Sequence, residues 1–172
     1  MAEPIEIDDS VRILAAQAYV EDIQKYRGLI EKSNETIDYL KRKVYSIGGY
    51  NVRETKVQAP KGEKGAAYEG YLMKLEKAKE SHEKNYCFWK SKTLSPLISI
   101  GKINNLNFQY LLRLRYSSCK AWKEIETGLQ CDNVHAVRDQ ALLALSQVME
   151  QEGRLQKYVE TLFLKGSGQN ER

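Results

Sequence analysis

Apolar residues recur at alternating spacings of three and four over the first third of the chain. This spacing places them on one side of an α-helix. Residues 8–10 can cap the start of this helix and Gly48 with Gly49 can end it, so the pattern predicts one long helix ending at about residue 47. Only Ser33 is polar among the ten positions of this seam, which are Ala16, Tyr19, Ile23, Tyr26, Ile30, Ser33, Ile37, Leu40, Val44 and Ile47. Such a seam is typical of a coiled coil or a helical hairpin.

A second apolar stripe, less regular than the first, predicts another helix over residues 66–94. Between the two helices, residues 48–65 contain turn residues and many charges without a helical period, which predicts a flexible loop. The second helix is expected to fold back on the first, so residues 8–94 are predicted to form a long helical hairpin or coiled coil. Because the seam is too long for a lone two-helix hairpin to bury on all sides, we predict self-association through residues 16–47.

Turn signals divide the following stretch into short helices. Ser95 and Pro96 are typical of a cap followed by a first-turn proline, which predicts that a new helix starts there. Asn107 can cap a further helix that ends near Tyr116.

The helices after residue 120 have the order and spacing of a helix-turn-helix. A brief helix over residues 122–127 is expected to stop at Gly128. Asp132 or Asn133 can cap a last helix, which runs to about residue 164 with Gly153 as its predicted break point. Residues 96–164 are therefore predicted to form a helix-turn-helix bundle, followed by a polar tail over residues 165–172. The fold class predicted for the whole chain is all-α.

Composition limits the size of the core, the cellular location and the disulfide content that can be predicted for this chain. The 172 residues can bury one or two small cores, and no run of about 18 apolar residues is present, so no membrane span is expected. The acidic start lacks the apolar core of a signal peptide, which predicts a cytoplasmic location. Three widely spaced cysteines, Cys87, Cys119 and Cys131, do not form a disulfide framework.

The charge is unevenly distributed along the chain. Residues 41–92 carry 13 Lys or Arg against 6 Asp or Glu, whereas residues 110–150 carry 5 of each. Since phosphate neutralisation supplies much of the affinity for nucleic acid, the positive field lies outside the suspected DNA-reading segment.

The sequence offers little for catalysis or metal binding. Cys131 and His135 have the spacing that puts two ligands on one helical face, but no C-x-x-C pair accompanies them. Gly62 and Gly65 lack the Lys-Ser/Thr of a phosphate-binding loop. We predict no catalytic residues, no metal, no cofactor and no enzymatic activity. The 11 tyrosines are interpreted as packing residues of the helical stripes rather than as a surface for stacking on bases.

The C-terminal third resembles a known family through three short motifs. The first is Leu112 with Leu114-Arg115-Tyr116 and the second is Ala121-Trp122 with Glu124-Ile125. The third comprises Val134 to Val137 with Ala141-Leu142. Together they are similar to phage and prophage proteins with a sigma-70 region-4-like helix-turn-helix, which include late-gene transcriptional regulators of phages of Gram-positive bacteria. Members commonly have a helical N-terminal half, a polar loop and a second helix before this unit.

The resemblance implies roles for individual residues. Core positions would be Trp122, Ile125, Val134, Val137 and Leu142. Positions facing the major groove would be Asn133, His135, Ala136, Arg138, Asp139 and Gln140. Asn and Gln can pair with adenine and Arg with guanine, while Lys120 and Lys123 would contact phosphates. The candidate DNA-binding residues are therefore Lys120, Lys123, Asn133, His135, Arg138 and Gln140.

The function implied is a DNA-binding phage or prophage transcriptional regulator in a bacterial host cell. Its partners would be double-stranded DNA and RNA polymerase. Two alternatives stay open. One is a DNA-packaging component similar to small terminase subunits, which also join a helix-turn-helix to oligomerising helices. The other is a structural interaction protein that does not bind DNA. A ring-shaped oligomer would favour packaging, and a dimer on a two-fold operator would favour regulation.

Overall fold

The computed structural model describes residues 7–48, 62–130 and 133–167, with side chains up to Leu164. Over these residues the fold is all-α, without strands. The helices are α1 (Asp9–Gly48), α2 (Glu63–Ile100), α3 (Leu106–Leu112), α4 (Trp122–Leu129), α5 (Val134–Gln151) and α6 (Leu155–Ser167), and a π-helical turn (Arg113–Ser117) follows α3. None of the helices in this part of the chain combines the length and the apolar character needed to cross a membrane.

The chain divides into two compact units. Unit 1 comprises residues 1–25 and 92–172, and unit 2 comprises residues 26–91. Both α1 and α2 contribute one end to each unit. The predicted division, with residues 8–94 in one domain and 96–164 in the other, differs mainly at the N-terminus. Residues 9–25 belong with the C-terminal helices because Ala16, Val20 and Ile23 are fully buried in the core of unit 1.

The core of unit 1 is built around α5. Its inward side includes Ala141, Leu142, Leu145 and Met149, all fully buried. They share one cluster with buried residues from α1, from the end of α2, and from α3, α4 and α6, among them Tyr19, Ile100, Leu111, Ile125 and Leu155. The rings of Tyr19 and Tyr158 meet edge to face, with centroids 5.1 Å apart.

Unit 2 contains the C-terminal part of α1 and most of α2. Ile37, Leu40 and Val44 pack with Leu75, and half-buried tyrosines surround this cluster. A hydrogen bond of 2.9 Å joins His82 Nδ1 to the hydroxyl of Ser33, the polar member of the seam. The chain's own residues therefore pack against the seam in both units. Self-association stays a prediction, but the seam no longer requires it.

Two helices do not start at the residues that the sequence predicted. Pro96 does not begin a helix: α2 continues through it to Ile100, with Pro96 itself buried. The helix predicted to be capped by Asn107 instead begins at Leu106, because the side chain of Asn105 accepts hydrogen bonds from the backbone N–H groups of Asn107 and Phe108.

The predicted loop over residues 48–65 is too long at both ends. Gly48 still belongs to α1 and Glu63 already begins α2, while residues 49–61 lie outside the described part of the chain. The break predicted at Gly153 is confirmed, because this residue has a left-handed φ of +68° and lies between α5 and α6.

Candidate nucleic-acid interface

Helix α4 begins with a hydrogen bond between the residue that precedes it and a residue of its first turn. The backbone N–H of Ala121 donates to the carboxylate of Glu124 at 3.0 Å, while the alanine side chain offers no acceptor in return. Ile125 anchors the helix, since it is 1% exposed and belongs to the core of unit 1. The helix does not stop at Gly128 as predicted. It ends at Leu129, and Gln130 takes the left-handed conformation with φ 50°.

Helix α5 starts after a short turn, of which residues 131 and 132 lie outside the described part of the chain. The predicted cap Asn133 is confirmed, because its side-chain oxygen accepts a hydrogen bond of 3.1 Å from the backbone N–H of Ala136. The alternative cap, Asp132, falls outside the described residues. Val134, the first residue of the helix, is buried and fixes the start of α5 on the core.

The first turns of α5 have an inward and an outward side. An α-helix rotates by about 100° per residue, so residues four apart share a side and residues two apart lie on nearly opposite sides. Arg138 is one turn after the buried Val134 and one turn before the buried Leu142. Gln140 is one turn after Ala136, and both are exposed. The candidate residues of α5 thus do not share one face.

Two arginine side chains and one histidine ring lie around the half-buried ring of Trp122. The guanidinium carbon of Arg115 lies 5.2 Å from the ring centroid and that of Arg138 lies 6.0 Å from it. The ring of His135 is tilted against the indole with centroids 6.0 Å apart. We refer to these four side chains as the Trp122 cluster. It joins the π-helical turn, α4 and α5 at one place.

Both arginines of the Trp122 cluster have hydrogen-bond partners that hold them there. Arg115 donates from Nη1 to the backbone carbonyl of Lys120 at 2.9 Å. Arg138 donates from Nε and Nη2 to one carboxylate oxygen of Asp139, at 2.8 and 2.7 Å. The neighbouring Asp139 therefore neutralises Arg138 within the chain.

The two candidate lysines flank the start of α4 and are exposed. Lys120 Nζ is 3.9 Å from a carboxylate oxygen of Glu124, with both side chains more than half exposed. Such an exposed pair contributes little to stability and yields readily to another anion. Lys123 lies one residue after Trp122, on the first turn of α4.

The six predicted residues therefore divide into four groups. Lys120 and Lys123 flank the start of α4, and His135 and Arg138 belong to the Trp122 cluster. Gln140 is on the outward side of α5, and Asn133 serves as the cap. The sequence analysis did not identify the role of Arg115. Its assignment of Trp122 to the core is confirmed in part, because Trp122 packs against the core of unit 1 but is only half-buried. The adjacency of Arg138 and Asp139 was visible in the sequence and could have revealed their pairing.

The described residues contain no group of three His, Cys, Asp or Glu side chains that could hold a metal ion. Comparisons of the whole chain with protein-family models, with curated proteins and with solved structures found no match. The resemblance to sigma-like phage regulators stays a prediction from the sequence motifs.

Proposed function

We propose that this protein binds double-stranded DNA through α4 and α5 and acts as a phage or prophage transcriptional regulator. The observation that carries the proposal is the exposed start of α5. Its inward side is fixed to the core by Val134 and Leu142, while its outward side presents Ala136 and Gln140. A helix supported in this way can enter the major groove, whose width admits an α-helix.

The neighbouring basic side chains suit the DNA backbone. Lys120 is exposed just before α4, and Lys123 is exposed on the first turn of that helix. Arg115 of the Trp122 cluster lies close to both. Phosphate contacts of this type fix the register of a protein on the duplex without selecting a sequence. In this proposal the lysines supply affinity and α5 supplies selectivity.

The balanced charge of residues 110–150 means that this segment alone attracts DNA weakly. Residues 41–92, which carry a clear excess of Lys and Arg, would add non-specific attraction in the full chain. Affinity is therefore expected to depend on the full chain, whereas base preference depends on α5.

One observation favours a protein partner as a second function. Leu106 and Tyr110 are one turn apart on α3 and are 75% and 55% exposed. Exposed apolar and aromatic side chains on one helical face are typical of protein–protein contacts. A transcriptional regulator could use this face to contact RNA polymerase, and a structural interaction protein could use it without any DNA.

The proposal is tested by titrating the full-length protein into a pool of random-sequence DNA duplexes at several salt concentrations. We expect the affinity to fall steeply with salt, and Lys123→Ala to weaken binding to all sequences alike while lowering the salt slope by about one. The matched control is Lys157→Ala, which removes an exposed lysine of α6 in the same unit and should change neither quantity. Binding that is absent or insensitive to salt would refute DNA binding by this protein.

A further inference from the structure

We infer that Gln140, and not Arg138, reads a base, and that the base is an adenine. The inference rests on the proposed function and names the sequence class that it selects. A pairing of Arg138 with guanine and a pairing of Gln140 with adenine predict opposite base preferences. The geometry of α5 decides between them.

Arg138 starts from the wrong side of the helix for base contact. It lies in register with Val134 and Leu142, which are 2% and 0% exposed, so its Cα–Cβ bond points toward the core. Only the length of the side chain brings the guanidinium out, and it emerges at the Trp122 ring rather than on the outward side. The groove-facing side of a helix that reads DNA is the side opposite its core contacts.

The guanidinium of Arg138 is also held in place. Two hydrogen bonds to Asp139 use its Nε and Nη2, and the Trp122 ring lies 6.0 Å from its central carbon. These bonds fix the guanidinium beside the Trp122 ring, so the N–H groups that remain, on Nη1 and Nη2, are held on the Trp122 side of α5 and not on its outward side. The guanidinium therefore packs beside the Trp122 ring instead of extending from the outward side of α5.

Gln140 has the opposite surroundings. It lies about 200° around the helix from Arg138, on the exposed side that it shares with Ala136 one turn earlier. A Gln carboxamide can donate to one adenine atom and accept from another, and an alanine methyl can contact the methyl group of thymine. Both side chains are uncharged, so neither is repelled by the duplex. Together they favour A·T pairs under the first two turns of α5.

Asn133, the other carboxamide near the start of α5, is already in use. Its side-chain oxygen accepts from the backbone N–H of Ala136 and caps the helix. Bidentate pairing with adenine would use that oxygen and the side-chain NH2 together, whereas the cap orients the oxygen toward the N–H of Ala136. The selectivity for adenine is therefore assigned to Gln140.

The experiment selects duplexes from a random pool with the full-length protein and compares base preferences among variants. We expect the unmodified protein to prefer A·T at one position, and Gln140→Ala to reduce that preference about tenfold or more while leaving affinity for the unselected pool nearly unchanged. Gln140→Arg should shift the same position toward guanine. Arg138→Ala should keep the preference for adenine. The matched control is Gln147→Ala, an exposed Gln two turns further along the same side, which should alter nothing.

The inference is overturned if Arg138→Ala removes the preference, if the preferred base is guanine, or if Gln140→Ala leaves the preference intact. Each of these results leaves DNA binding itself in place. A protein that retains no duplex at all overturns the proposed function and the inference with it. Circular dichroism of each variant establishes that it is folded, and Gln140 is exposed, so its substitution should not disturb the core.

Discussion

Both units contain a part of α1 and a part of α2, but the apolar side of α1 is buried more deeply in unit 1 than in unit 2. In unit 1, the seam residues Ala16, Tyr19 and Ile23 of α1 are 0–2% exposed. In unit 2, the seam residues Ile37, Leu40 and Val44 of α1 keep 7–9% of their surface exposed. The three-and-four spacing of the seam is equally regular in both stretches. The difference comes from what packs against the seam. Several helices cover it in unit 1, whereas among the described residues of unit 2 it is covered by a segment of α2. A regular apolar seam in the sequence therefore predicts which side of a helix is buried, but it does not predict how much of that side remains exposed.

This contrast has a consequence for local stability. A helix covered by one neighbour buries little apolar surface, and most helical stability in proteins comes from such burial. Regions with few buried contacts open at lower free energy than the core does. Unit 2 should therefore exchange its amide hydrogens faster than unit 1.

The largest expected effect comes from removing a core leucine of unit 1. Leu111→Ala empties a site that is 0% exposed and should lower the free energy of unfolding by about 4 kcal/mol. Leu75→Ala in unit 2, at a site 6% exposed, should cost about 2 kcal/mol because the surrounding side chains can close part of the gap. Chemical denaturation followed by circular dichroism measures both. Equal costs would contradict the difference in packing between the units.

The sequence predicted the helical fold well where one strong signal acted alone. The long α1 followed from an unbroken seam and a Gly-Gly stop, which placed its end one residue too early, and the break at Gly153 followed from one glycine. The start signal at Ser95-Pro96 failed because the preceding helix passes through Pro96, which packs among buried residues. A local propensity cannot show that tertiary packing will keep a proline within a helix.

The candidate site was predicted only in part. The cap depends on local sequence alone, and Asn133, one of the two candidates that the sequence offered, is confirmed. The separation of Arg138 from Gln140 follows from helical periodicity once the buried side of α5 is known. The position of Arg115 over Trp122 joins the π-helical turn to α4, and no local pattern encodes a contact of that kind.

The second prediction concerns a polar network in unit 1, in which Glu152 joins the end of α2 to the segment between α5 and α6. The carboxylate of Glu152 accepts hydrogen bonds from the hydroxyl of Ser99 and from Lys102 Nζ, each at 2.7 Å, and its side chain is only 14% exposed. Glu152→Gln removes the charge and should cost about 2 kcal/mol of unfolding free energy. Glu80→Gln is the matched control, because its ion pair with Lys84 leaves both side chains 65% or more exposed and should therefore contribute much less. A control variant as destabilised as Glu152→Gln would show that burial of the network is not what matters.

Because of the same network, the stability of unit 1 is expected to decrease at low pH. Burial alone would raise the pKa of Glu152, but the hydrogen bonds from Lys102 and Ser99, with the charges of Lys102 and Arg154, bring it below the ordinary value. A depressed pKa in the folded state stabilises the protein above the pKa of the unfolded chain, and this stabilisation is lost as the pH falls through the folded value. We expect thermal melts below about pH 5 to lose stability, and the loss to be smaller in Glu152→Gln. An identical acid profile in that variant would exclude Glu152 as a source of the dependence.

The smallest expected effect is in unit 2, at the hydrogen bond between His82 and Ser33. Ser33→Ala removes this polar contact from the seam and should cost about 1 kcal/mol or less, because the bond is only partly buried. Its effect should be confined to amide exchange within residues 26–91. Ser117→Ala, in the π-helical turn of unit 1, provides a comparison in the other unit. Faster exchange throughout unit 1 in Ser33→Ala would mean that the two units do not open independently.

The most direct test of the proposed DNA site is amide hydrogen exchange of the full-length protein, measured with and without a saturating random-sequence DNA duplex. DNA that lies on α4 and α5 should slow exchange over residues 118–143 of unit 1, with smaller changes in the basic stretch of unit 2. Protection confined to residues 26–91, with α4 and α5 unchanged, would contradict the assignment of DNA binding to unit 1.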